Sequence, residues 1–161
     1  MILRPLPNWV TPYQEMHHHP ASINLTVGTV LMESIDAHVR RSPQDPPVID
    51  IPAKMGLELQ ELPKAERYSI PPGKSVLIRT AESLEVPDNA AAVIYGIASM
   101  TQPGQILDGG AFARPGWKGS LLLRLTNVNH VHAYHLHHGA AFCQVVFHSV
   151  SNNYQCGEEK W

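Results

Sequence analysis

Charged residues are scarce in this sequence, 16% of 161 positions, and twelve Lys and Arg stand against fourteen Asp and Glu for a formal net charge of −2. The basic residues are scattered, so no stripe exists to displace counterions from a run of phosphates, and duplex nucleic acid is excluded as a partner. Two cysteines, Cys143 and Cys156, are too few for a disulfide scaffold. Cys143 lies inside an apolar strand pattern where a thiol acts as a small hydrophobe, and no disulfide is expected. No apolar run approaches the roughly 20 residues that cross a bilayer, so no membrane partner is expected. Met1 to Thr11 contains Pro5 and Pro7 and no apolar run behind a basic start. That is not a secretory signal, and a cytoplasmic location is the expectation.

Long windows at the helical period are missing as well. Fourteen prolines and eleven glycines punctuate the chain. The exception is Leu31 to Arg41, where a helical turn or two is predicted. Strand signals come from alternation: Ile23 to Val27 is apolar at odd positions and polar at even ones. After Pro71 the pattern becomes regular, with short apolar segments at Ser75 to Thr80, Ala90 to Ala98, Ser120 to Asn127, Val131 to Leu136 and Ala141 to His148. Each is bounded by Gly, Pro or Asn, the pattern of an all-β sandwich, jelly roll or barrel. The proline-rich stretch Ser42 to Pro63 has too few apolar residues for a core of its own and reads as a strand-and-loop excursion. One domain over 1–161 follows, with an N-terminal extension at 1–20 and a polar tail at 151–161 that is mobile unless it docks on a neighbour.

Read in order, the second half holds Pro72-Gly73, then Thr80-Ala81-Glu82-Ser83-Leu84-Glu85-Val86-Pro87, then Tyr95-Gly96-Ile97-Ala98-Ser99-Met100. Ala113-Arg114-Pro115-Gly116-Trp117-Lys118-Gly119 and Leu123-Arg124-Leu125-Thr126-Asn127 follow, and Gly139 with Gln144-Val145-Val146-Phe147 closes the series. This series resembles the dCTP deaminase and trimeric dUTPase family, whose pattern runs P-G, T-x-E-x-x-x-x-P, G-R-S-S-L, I-D-P-G-W-x-G, L-E-x-x-N and G-x-x-I-x-Q-x-x-F. The resemblance covers about residues 71 to 148, with a weaker echo in Ser22 to Gly28. Tyr154-Gln155 is similar to the Y-Q-x-Q arm of the deaminases, although Gly157 stands where the second Gln would be. The resemblance implies a dUTPase-like distorted β-barrel or jelly roll (β-clip). It also implies a homotrimer with nucleotide sites in the clefts between subunits. No cofactor is implied beyond Mg2+ accompanying a bound nucleoside triphosphate.

Deamination of cytosine and hydrolysis between phosphates both need a carboxylate to activate water. At the place of the dUTPase Asp stands Arg114, and at the place of the deaminase Glu in L-E-x-x-N stands Arg124. A guanidinium stays protonated and has no lone pair to accept a proton, so neither is a disguised general base. The family's phosphate-binding Arg in G-R-S-S-L is matched by Ile97 and its first Ser by Ala98, leaving Ser99. Three readings of the arginines stand side by side. They fill a vacated cleft and pair with Asp108, Glu82 or Glu85, or they bind an anion, or Asp108, six residues before Arg114, supplies a relocated base.

The candidate ligand-binding set is therefore Ser99, Arg114, Arg124, Gln144 and Tyr154, with Asp108 as the candidate catalytic group. His130, His132, His135, His137 and His138 cluster around one predicted strand, and His17-His18-His19 precede the first one. No Cys or carboxylate completes a known ligand spacing, and the H-x-E and C-x-x-C signature of zinc deaminases is absent, so no metal site is assigned. Trp117 reads as core or interface, or as a platform for a base. Phe112, Phe142 and Phe147 read as core. Three functions compete. The first is a trimeric nucleotide- or anion-binding or regulatory protein without the family's catalysis. The second is a deaminase or diphosphatase with chemistry moved to Asp108, Ser99 and Gln144, and the third a structural trimer of an assembly.

Overall fold

Alternation in residues 78–85 runs without a break: Ile78, Thr80, Glu82 and Leu84 are buried, while Arg79, Ala81, Ser83 and Glu85 are exposed. A strand with one face on a core reads this way. A computed structural model describes residues 1–34, 58–101, 103–108 and 112–151. Among these are twelve strands: β1 (Ile2–Leu3), β2 (Val10–Thr11), β3 (Ile23–Ser34), β4 (Glu58–Glu61), β5 (Arg67–Ile70), β6 (Ser75–Glu85), β7 (Ala90–Gly96), β8 (Gln105–Asp108), β9 (Phe112–Ala113), β10 (Lys118–Asn127), β11 (Tyr134–His137) and β12 (Ala141–Ser149). A single helical turn, α1 (Ala98–Thr101), follows β7.

Ten strands form one curled antiparallel sheet in the order β8-β10-β6-β3-β12-β7-β9, joined by β1 on β12, β2 on β6 and β4 on β3. β5 and β11 pair separately. The architecture is the all-β, dUTPase-like one expected from the sequence. Inward residues of β3, β6, β7, β10 and β12 fill one core, with Phe142 and Phe147 fully buried in it. Residues 1–20 are woven into the sheet: Val10 is 2% exposed, and the Trp9 ring lies 4.9 Å from that of Phe147.

Several boundaries differ from those read in the sequence. Leu31 to Ser34 carry no helical turn: they extend β3, whose ladder with β4 overrides the local period. The rest of that predicted turn lies outside the described residues, as does residues 42–57 of the proline-rich excursion, whose end contributes β4. The strand predicted from Val131 begins at Tyr134, because the Asn129 side chain accepts hydrogen bonds from the Val131 and His132 N–H groups (2.8 and 2.9 Å) and holds a turn there.

Two features lock the middle of the sheet. Glu82, 2% exposed, accepts hydrogen bonds from the Thr26 N–H (2.8 Å) and the Thr26 hydroxyl (2.7 Å), which ties β6 to β3. Next to this link, the β3–β6 register shifts between Val27 and Thr29, and the inward positions change from odd (Leu25, Val27) to even (Val30). Gly28 sits in that bulge. A Cβ on Gly28 would meet backbone atoms of Ala81 at 2.8 and 2.9 Å and of Arg79 at 2.9 Å. Cys143 of β12 is fully buried, and burial, followed by the charge of Glu82, pushes its thiol well above the ordinary thiol range.

Gly28→Ala is expected to destabilise the protein by about 1–3 kcal/mol through overpacking against backbone that cannot step aside, read from denaturant unfolding. A neutral result would show that the β3–β6 contact is looser than described. Cys143, followed in a Cys156→Ser background, is expected to resist thiol-specific labelling at pH 8 until the chain unfolds. Because the folded thiol keeps its proton where the unfolded one releases it, stability is expected to decline as pH rises past about 8.5, and Cys143→Ala is expected to remove that part of the slope.

Candidate functional site

The loop between β9 and β10 is a tight turn built from its own sequence. Pro115 pre-sets the first corner and Gly116, at φ 75°, supplies the second, while the Trp117 N–H donates to the Arg114 carbonyl at 3.1 Å. This is the type II pattern. The turn is clamped to the chain after β6: the Gly116 N–H donates to the Val86 carbonyl (3.0 Å), and the Val86 N–H donates to that of Trp117 (2.9 Å).

β10 then carries a bulge between Ser120 and Leu122 where it meets β6. The Leu121 N–H donates instead to the Thr80 hydroxyl (3.0 Å), which itself donates to the Glu82 carbonyl (2.7 Å). Turn and bulge together wall a cleft of about 260 Å3, lined by Phe112, Ala113, Trp117, Ser120, Leu121, Leu122 and Leu123. The lining is aromatic and aliphatic, with the Ser120 hydroxyl as its polar side chain.

Phe112 corrects the sequence reading. Its place in the alternation predicts core, but β9 has one inward position, which Ala113 fills at 2% exposed, leaving Phe112 62% exposed in the cleft. Trp117 is 37% exposed and also lines the cleft rather than the core. Sequence reasoning therefore missed Phe112, Ser120 and Leu122 as site residues. The available signal was the flanking Pro115-Gly116 turn, which makes its neighbours the walls of a hairpin.

Arg124 and Asp108 are brought together: they are direct partners in the β10–β8 ladder, Arg124 half-buried and Asp108 exposed. The other two carboxylates weighed as partners are occupied. Glu82 is held by Thr26, and Glu85 pairs with Lys118, its ladder partner, whose ammonium is pushed up by the hydrogen bond and charge of that carboxylate. Arg114 opens the turn, exposed, and its side chain has no partner among the described residues.

The remaining candidates are spread out. Ser99 is exposed on α1, where Ile97 packs partly buried against the core. Gln144 lies on β12, and its Oε1 accepts from the Ser22 hydroxyl at 3.2 Å. Tyr154 lies outside the described residues. Asn127, the Asn of the L-E-x-x-N pattern, is fully buried: its Nδ2 donates to the Ile70 and His132 carbonyls, both at 2.9 Å.

His135 and His137 flank the buried Leu136 on β11 and are exposed, as are His130 and His132, while His138 is half-buried. No group of three or more His, Cys, Asp or Glu among the described residues is placed to hold a metal. Nor is any helix among them long and apolar enough to cross a membrane. A second cleft of about 280 Å3 lies beside the β3 bulge, lined by Gly28, Thr29, Glu61, Leu62, Lys64, Tyr68, Ala81 and His138.

Comparison with known proteins gives this geometry its relatives. A family model described as dCTP deaminase-like matches residues 8–150. A dUMP-forming dCTP deaminase of Dictyoglomus thermophilum is 28% identical over 134 residues, 83% of this chain, and the chain spans 66% of that protein's length. One from Methanopyrus kandleri is 30% identical over 155 residues, which cover 94% of this chain and 75% of the relative. The crystal structure of 2′-deoxycytidine 5′-triphosphate deaminase from Agrobacterium tumefaciens is similar in fold, with a TM-score of 0.63 over 87% of this chain and 43% of that one at 16% identity. With the family pattern matched across nearly the whole chain, this protein belongs to the dCTP deaminase-like family.

Proposed function

We propose that this protein is a dCTP deaminase/dUTPase-like binding or regulatory protein, which as a homotrimer holds a deoxynucleotide or a similar anion without turning it over. The observation that carries this reading is Arg124, a guanidinium at the family's proton-accepting position, facing Asp108 across the β10–β8 ladder. The guanidinium itself has no lone pair with which to take a proton from water. The names of the relatives, dCTP deaminases, supply the ligand class, and the apolar cleft walled by Phe112 and Trp117 suits the faces of a base and sugar.

A base relocated to Asp108 has less support. Asp108 already faces a cation, and its intended companions stand elsewhere, Ser99 on α1 and Gln144 on β12 with its carbonyl oxygen engaged by Ser22. A purely structural trimer leaves the open cleft without a use.

The test is incubation of concentrated protein with dCTP or dUTP and Mg2+, followed by chromatography, alongside calorimetry with the same nucleotides. No product together with micromolar binding of at least one deoxynucleotide is expected. Conversion at an enzymatic rate would overturn the non-catalytic reading, and silence across the whole nucleotide panel would overturn the binding reading.

A further inference from the structure

Resting on that binding reading, we propose that the cleft is matched to a nucleoside 5′-monophosphate, whose single phosphate is held by Arg114, rather than to a triphosphate. The cleft, at about 260 Å3, is slightly smaller than the roughly 300 Å3 at which pockets for drug-sized ligands begin, and its walls are Phe112, Trp117 and the leucines of β10. That lining takes one ring system and its sugar and offers nothing to a chain of phosphates.

Arg114 is the cation of the turn that borders the cleft, outside its lining but next in sequence to Ala113 of that lining. It lies between Ala113 and Trp117, both of which line the cleft. It is two residues from Phe112 across the buried Ala113, so both leave the chain on its exposed side. Its guanidinium has no partner among the described residues, and the rigid turn that carries it is held by three backbone hydrogen bonds. An unpaired guanidinium beside an apolar cleft suits one phosphate, gripped by two parallel N–H groups.

Further phosphates would need further cations, and the neighbouring ones are engaged. Lys118 is bound by Glu85, and Arg124 faces Asp108. The α1 turn offers none: Ile97 before it packs on the core, and Ala98, Ser99 and Thr101 are what it exposes. Arg79, the ladder partner of Leu122, is exposed on β6 rather than on the turn between β9 and β10, which makes it the control.

Calorimetry on the full chain with deoxyuridine, dUMP and dUTP, and with the corresponding deoxycytidine series, separates the possibilities. For wild type and Arg79→Ala, the monophosphate is expected to bind about tenfold more tightly than the nucleoside, and the triphosphate within about threefold of the monophosphate. For Arg114→Ala, monophosphate and nucleoside are expected to bind alike, with nucleoside affinity and thermal midpoint unchanged. A triphosphate bound ten times more tightly than the monophosphate, or a phosphate increment that survives Arg114→Ala or disappears in Arg79→Ala, would overturn the monophosphate assignment and leave nucleotide binding standing. Absence of heat with all six compounds would remove both.

Discussion

Glu82 sets the conditions for everything around it. A carboxylate moved from water into a protein interior without partners costs many kcal/mol, so its burial at 2% exposure requires the two hydrogen bonds it accepts from Thr26. Those bonds join β6 to β3, the centre of the path from β8 to β9. Two residues back on the same face of β6, Thr80 accepts the Leu121 N–H that the β10 bulge has released from the ladder. The bulge in turn shapes the cleft. A polar chain thus runs from the buried anchor to the candidate site, and each hydroxyl or carboxylate in it is used in holding strands.

The arginines at 114 and 124 leave this framework untouched, because they stand at a turn and on the outward side of a strand. Inward positions of β10 are Leu121, Leu123, Leu125 and Asn127, while Arg124 lies on the other side of the strand. Arg114 stands at the corner of a turn whose geometry depends on Pro115 and Gly116. Outward and turn-corner side chains can change with small effects on stability. The scaffold therefore tolerates cations at these two positions.

Much of the fold was legible because its signals are local. The alternation of β3 up to Val27, the inward Phe142 and Phe147, and the Pro115-Gly116 turn each follow from residues near one another in the chain. What was not legible depends on pairing at a distance. Leu31 to Ser34 look helical until β4 is placed beside them. Phe112 looks like core until the two-residue β9 is seen to have one inward slot, already filled by Ala113. The cleft itself is legible only after β9, the turn and the β10 bulge are brought together. Among the arginines, the sequence offered Glu82, Glu85 and Asp108 as partners without ranking them. Strand register makes the choice, giving Glu85 to Lys118 and setting Asp108 opposite Arg124.

That last pairing makes positions 108 and 124 interdependent. Opposite charges facing each other across an antiparallel ladder stabilise it by about 0.2–1 kcal/mol, whereas like charges in the same places oppose it. A glutamate restored at 124 would therefore face Asp108, two carboxylates side by side at the rim of the sheet, where the present pair is complementary. Placing a carboxylate at 124 by a single change thus meets a cost that the family pattern at 124 does not reveal. The cation at 124 and the acid at 108 form one electrostatic unit, and the chemistry available at this edge of the sheet is set by the pair rather than by either residue.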